Sequence, residues 1–143
     1  MRYVVATDGS DASLTAARFL VQHSCPGSED EIFAIYVFPL PSDPECYEGV
    51  VSLPTQASDE RVAGVARPIL AKTMEELSDT ESRINDVTLV GNPAKEIVEF
   101  AMNLGVDLIV AGTRGRSPAK EVYLGSVSSA LVHRAPCSVL IVR

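Results

Sequence analysis

The sequence is poor in basic residues, in histidine and in cysteine, and it has no long apolar run. Its 143 residues carry 12 Lys and Arg against 19 Asp and Glu, a net charge of −7. A surface of that sign repels phosphate backbones and anionic lipid head groups, so neither nucleic acid nor a membrane is expected as a partner. Cys25, Cys46 and Cys137 are odd in number and widely spaced, with no C-x-x-C, and the only histidines are His23 and His133. That weighs against a disulfide framework and a zinc site alike, and fits a reducing cytosol. No apolar stretch approaches the roughly 18 residues of a membrane span. No positively charged segment followed by an apolar run opens the chain, so a cytoplasmic protein is expected. Internal repeats and low-complexity tracts are also missing.

What is present is an ordinary globular composition, 46% hydrophobic and 22% charged, which argues against disorder. The length fits one domain, 1–143. A chain of that size buries about 70% of its unfolded surface, so it needs no disulfide or structural metal to fold. Short β-branched runs alternate with longer helical patterns. Residues 3–7, 32–38, 84–90, 106–111 and 138–142 read as strands, and the first two are unbroken apolar runs, as expected of strands covered on both faces. Ser10 or Asp11 can cap a first helix with Leu14, Ala17, Phe19, Leu20 and Val21 on its apolar side, ended by Cys25-Pro26-Gly27. A second helical pattern covers 60–77, with Gly64 and Pro68 as points where it would kink or break. Asn92 and Pro93 start a third helix running through Met102, and Gly125-Ser126 a fourth ending near Arg134. Residues 39–60, with Pro39, Pro41, Pro44 and Pro54 among scattered acids, read as a surface excursion. The order βαβαβαβαβ predicts an α/β fold of Rossmann type: an open, five-stranded, mainly parallel sheet with helices on both faces.

Two constellations could carry chemistry. Gly112-Thr113-Arg114-Gly115 is followed, after nine residues, by Gly125-Ser126-Val127-Ser128. Gly112 and Gly115 come just after a strand, where backbone turns sharply or approaches something closely. Gly125-Ser126 opens a helix, whose free N–H groups and dipole suit an anion. Ser126 and Ser128 add hydroxyls able to donate to phosphate or ligate a cation. The same residues equally fit a glycine turn followed by an N-capping serine. The second constellation is Asp8, at the end of the first strand. In open α/β sheets, ligands lie at the carboxyl ends of strands where the strand order reverses. If the first and fourth strands are neighbours there, Asp8 and Gly112 face one crevice, and the carboxylate can accept from ribose hydroxyls. Asp8 also suits a helix cap. Arg114 and Arg116 fit either phosphate partners or solvated loop charges, and His133 suits the dipole at a helix end. Cys25 and Cys137 read as small packed side chains; Cys46 lies in the excursion, with nothing nearby to lower its pKa.

These residues match a family pattern. The whole chain resembles the universal stress protein family, and within it the ATP-binding branch. The resemblance rests on Val5-Ala6-Thr7-Asp8-Gly9-Ser10, on Gly91-Asn92-Pro93 with Glu96-Ile97, and on Asp107-Leu108-Ile109-Val110-Ala111-Gly112-Thr113-Arg114-Gly115-Arg116. It continues through Leu124-Gly125-Ser126-Val127-Ser128 and Ala135-Pro136-Cys137-Ser138-Val139-Leu140-Ile141-Val142. The branch's signature, G-x2-G-x9-G-[S/T], stands here as Gly112, Gly115, Gly125 and Ser126. The resemblance implies an adenine nucleotide α-hydrolase-like fold that binds ATP, or another adenine nucleotide, with Mg²⁺. Asp8 would hold the ribose, the backbone of Val37 would read the adenine beside Ala6, and Gly112 would contact the ribose. Arg114, Gly115, Gly125, Ser126, Val127 and Ser128 would line the phosphates. It also makes residues 138–142 an edge strand, through which a homodimer is expected.

The expected role is a nucleotide-dependent regulatory switch in a stress response, acting on an unidentified protein partner, with little or no hydrolysis. Two alternatives belong to other classes. A slow ATPase or adenylyl-group enzyme would want a phosphate grip that Thr7-Asp8-Gly9-Ser10 lacks, a histidine pair, or a general base in the crevice. A nucleotide-free dimerisation module would have lost the glycines that remain here. A phospho-receiver domain would need an acidic pair at the first strand and a lysine at the fifth, and neither is present.

Overall fold

The computed structural model describes residues 1–40, 56, 58–113 and 124–143. In chain order the elements are β1 (Arg2–Thr7), α1 (Asp11–Ser24), β2 (Glu31–Pro39), α2 (Glu60–Leu77), β3 (Arg83–Gly91), α3 (Pro93–Leu104), β4 (Leu108–Gly112), α4 (Ser126–Arg134) and β5 (Ser138–Val142). The strands form one sheet in the order β3-β2-β1-β4-β5, and every neighbouring pair is parallel. The order reverses at β1. The chain steps outward to β2 and β3, then returns to lay β4 on the other side of β1, with Val5 opposite Val110 and Ala6 opposite Ala111.

Each face of the sheet builds its own core. Tyr3 and Val5 of β1, with Ile32, Ala34 and Tyr36 of β2, pack toward Leu20 of α1 and Ala66, Leu70 and Leu77 of α2. Val4 and Ala6, with Ile35, Val37, Ile109 and Ala111, pack toward Ile97 and Ala101 of α3 and Leu131 of α4. The period-two alternation of a strand thus feeds two apolar layers at once. Val4 and Val5 are both fully buried, which is why β1 has no polar face to show. The edge strand β3 is only half covered, and polar residues such as Asn85 and Asp86 enter it there.

The helix starts follow local chemistry. The side chains of Ser10, Asp59 and Asn92 accept from the backbone N–H of Ser13, Arg61 and Lys95, capping α1, α2 and α3. At the end of α3, Gly105 is left-handed and the Val106 N–H donates to the Ala101 carbonyl at 3.0 Å. That closure uses the amide at which the fourth strand was expected to begin, so β4 starts at Leu108. α2 runs through Gly64 and Pro68 without the break that was one of the two expectations there. Pro68 lies on the exposed side, nothing lies within 4 Å of a Cβ built on Gly64, and the buried stripe Val62, Ala66, Ile69, Leu70, Thr73 and Leu77 holds the helix to the sheet. Packing of that stripe outweighs the one hydrogen bond proline cannot donate. Cys25 is also not a packed side chain: it is exposed, at the left-handed end of α1. Cys137 is half-buried, and desolvation pushes its thiol up. No helix among the described residues is long and apolar enough to cross a membrane.

Asn92→Ala is expected to cost about 1 kcal/mol, read as a lower urea midpoint at unchanged slope. The Asp59 cap adds a pH dependence. Hydrogen bonds from the Arg61 side chain and backbone hold its carboxyl at about 2, against an ordinary 3.8. Its contribution is complete above 3.8 and is lost as the pH falls through about 2. Across that window wild type is expected to lose stability faster than Asp59→Asn.

Candidate functional site

The carboxyl ends of β1 and β4 meet where the strand order reverses, and the turn leaving β1 is the first part of the site. Asp8 Oδ1 accepts from the Ser10 N–H at 3.0 Å. Ser10, rather than Asp8, is the N-cap of α1. Asp8 closes the turn leading to the cap, and the carboxylate stays at the carboxyl end of β1, half-buried.

Below it lies a set of buried hydroxyls. Thr7 Oγ1 is 2.9 Å from Thr73 Oγ1 and 3.2 Å from Ser13 Oγ. It also accepts from the Gly9 N–H at 3.2 Å. Thr73 donates to the Ile69 carbonyl at 3.0 Å, and Ser13 to the Ser10 carbonyl at 2.9 Å. With both those hydrogens placed, Thr7 has one hydrogen to give to Thr73 or Ser13. The group ties the end of β1, the turn, the first turn of α1 and the middle of α2 together. Thr73 is fully buried, 66 positions from Thr7. Sequence reasoning did not pick it out, although a threonine on the otherwise apolar stripe of α2 was a readable signal.

Gly112 ends β4. A Cβ there would stand 2.6 Å from the Ala12 carbonyl carbon and 2.7 Å from its oxygen. The missing side chain is needed so that the first turn of α1 can lie across the end of β4, a close helix–strand approach. Next to it, the Thr113 N–H donates to the Val142 carbonyl at 2.9 Å, and the Thr113 carbonyl accepts from the Gly125 N–H at 2.7 Å. Thr113 therefore joins β4, β5 and the start of α4.

α4 begins at Gly125, whose carbonyl accepts from Ser129 and which supplies no side-chain cap. The other three helices each have one. The first-turn residues Ser126, Val127 and Ser128 therefore lie at a helix start capped by no side chain among the described residues, next to the β1–β4 junction. Ser126 is exposed. Ser128 is 4% exposed, and its hydroxyl donates to the carbonyls of Thr113 at 2.9 Å and Gly125 at 3.0 Å. The hydrogen expected to meet phosphate is thus turned to backbone, which leaves Ser128 its N–H. Ala6 and Val37 are 8% and 6% exposed and share the apolar cluster under α3 and α4, with Val127 packed at its margin. Arg114 and Gly115 lie outside the described residues, as do Arg116 and Cys46. His133 is exposed in the last turn of α4, its Nδ1 2.7 Å from the Ser129 carbonyl. The structure thus brings Asp8, Gly112, Gly125, Ser126, Val127 and Ser128 to one end of the sheet, with Ala6 and Val37 in the layer beneath.

Comparison with known proteins agrees across the full length. The model of the universal stress protein family matches residues 1–143. A universal stress protein of Methanocaldococcus jannaschii is 34% identical over 99% of this chain and 81% of its own, and one of Bacillus subtilis is 34% identical over 99% and 98%. A second M. jannaschii protein of known structure shares the fold with TM-score 0.77 at 24% identity, over 99% of this chain and 94% of that one. A universal stress protein solved in complex with cAMP has TM-score 0.62 at 25% identity, over 100% and 96%. One from Archaeoglobus fulgidus, solved with dAMP, has TM-score 0.65 at 19% identity, over 100% and 98%.

Gly112→Ala tests the packing reason for that glycine. The methyl must displace the Ala12 backbone, and overpacking of this kind costs about 1–3 kcal/mol. A clear fall in the urea midpoint is expected without added nucleotide. An unchanged midpoint would show that α1 yields freely.

Proposed function

This chain belongs to the universal stress protein family, and we propose that it binds an adenine nucleotide, ATP with Mg²⁺, as a regulatory switch with little or no hydrolysis. The observation that carries this reading is the start of α4, without a side-chain cap among the described residues, set beside Asp8 at the strand reversal. Backbone N–H groups of Ser126, Val127 and Ser128 at a helix start suit phosphate oxygens. Asp8 suits ribose hydroxyls as an acceptor. Ala6 and the Val37 backbone would border the adenine, by likeness to the family. Related proteins solved with cAMP and dAMP support the adenine class. Mg²⁺ would bridge the phosphates, and needs few protein ligands there.

The same residues argue for a switch over an enzyme. Hydrolysis wants a group to take a proton from water and charge placed on the transferred phosphoryl. Asp8 is the carboxylate at the end of β1, and in this reading it would be engaged at the ribose.

Calorimetric titration with ATP and Mg²⁺ is expected to give saturable heat, weakened by chelating the metal and abolished in Gly125→Val, where a branched side chain enters between backbone and phosphate. No heat at millimolar ATP would defeat the reading. Phosphate release is expected to be slower than about 1 per second; a faster rate that vanishes in Gly125→Val would make the protein an ATPase.

We also propose a homodimer through β5. It is an edge strand, and Val139, Leu140 and Ile141 are only half covered by the helices of this chain. Unpaired backbone on a half-apolar edge favours pairing with a second copy across a two-fold axis. Light scattering is expected to give the dimer mass for wild type and the monomer mass for Ile141→Lys; a monomeric wild type would reject it.

A further inference from the structure

α2 touches the Asp8 turn at two points one helical turn apart. Thr73 hydrogen-bonds with Thr7 at the root of the turn. Ile69 lies over Gly9, whose φ is +76° and where a Cβ would stand 3.0 Å from Ile69 Cγ1. One residue before Ile69 the helix is weakened. Pro68 has no N–H for the Gly64 carbonyl, and beside it Gly9, Val65, Pro68, Ile69 and Lys72 line a cleft of about 210 Å³ between helix and turn. α2 is one continuous helix that lacks one hydrogen bond at Pro68, and both contacts with the turn, from Ile69 and Thr73, come after that gap.

We propose that residues 69–77 of α2 respond to nucleotide at the Asp8 turn, and that Pro68 bounds the response. The proposal rests on the nucleotide-binding reading above and assigns that site its regulated element. A ligand held by Asp8 restricts the turn, and the restriction passes to the groups bonded to it. The Thr7–Thr73 contact is buried, so water does not compete for it. From Thr73 the helical hydrogen bonds and the buried side chains of Leu70 and Leu77 carry the effect along residues 69–77. Toward residues 61–67 the missing Pro68 donor thins the ladder. Linkage makes the coupling reciprocal: a partner that grips residues 69–77 would change nucleotide affinity by the same factor.

The experiment is amide hydrogen exchange on the whole chain, with and without ATP and Mg²⁺, at an occupancy fixed by calorimetry. Amides of residues 69–77 are expected to slow about fivefold or more, and those of residues 61–67 much less. Thr73→Val removes the bond to Thr7 together with the hydroxyl's bond to the Ile69 carbonyl inside α2; Thr7 can still donate to Ser13 and accept from Gly9, so the protein is expected to fold and bind. It should lose the slowing, and Thr73→Ser should restore it. Pro68→Ala should extend the slowing into residues 61–67. Saturable heat with unchanged exchange in residues 69–77, or equal slowing in Thr73→Val, would overturn the proposal while leaving nucleotide binding intact. Absence of heat overturns the binding reading, and this inference with it.

Discussion

The closeness with which α1 approaches the end of β4 governs everything at the carboxyl edge of the sheet. Gly112 leaves room for the Ala12 backbone where any side chain would collide with it. Given that room, the first turn of α1 lies over the junction of β1 and β4, and the Asp8–Ser10 turn is short enough to be closed by its own side chains. A larger residue at Gly112 would tilt α1 outward. Asp8 would move away from the strand reversal, and Thr7 would be drawn from the hydroxyls that hold it. A position that looks like a ligand contact in the sequence is thus first a packing requirement, and the two roles are compatible because glycine can serve both sides of one backbone.

The buried hydroxyls beneath the turn show how a polar group is kept inside an apolar layer. Each of Thr7, Ser13 and Thr73 has a partner for its hydrogen, and no buried side-chain nitrogen or oxygen among the described residues lacks a partner. An unpaired one would cost about 1–3 kcal/mol. The arrangement therefore adds little net stability but strongly disfavours any other placement of the turn. Part of the turn's ordering is thus in place before any ligand arrives, which lowers the cost of binding and leaves the remaining motion for a ligand to restrict.

The charge balance places a further demand on the site. A chain of net charge −7 repels an anionic nucleotide at long range. For the proposed nucleotide, attraction would have to come from near the ligand, from N–H dipoles at the start of α4 and from a cation carried with the phosphates. Such contacts act over a few ångströms, inside the reach of salt screening. The protein would thus select by local geometry, and its acidic surface would keep longer polyanions away.

By itself the sequence determined the elements and their kind. The unbroken apolar run at residues 3–7, short and closed by a turn signal, reads as a strand covered on both sides, Asn92-Pro93 reads as a helix start, and the spacing of Gly112, Gly115, Gly125 and Ser126 fits the family pattern. These depend on neighbours within a few positions, where periodicity and capping chemistry act. Tertiary structure decided which distant residues meet: that Ala12 stands against Gly112, that Thr73 reaches Thr7, that the Ser128 hydroxyl turns to Thr113, and that α2 tolerates Pro68. Such meetings depend on how far one helix slides along a sheet before its side chains interlock. That distance is set by volumes summed over both surfaces, and no local pattern along the chain contains it.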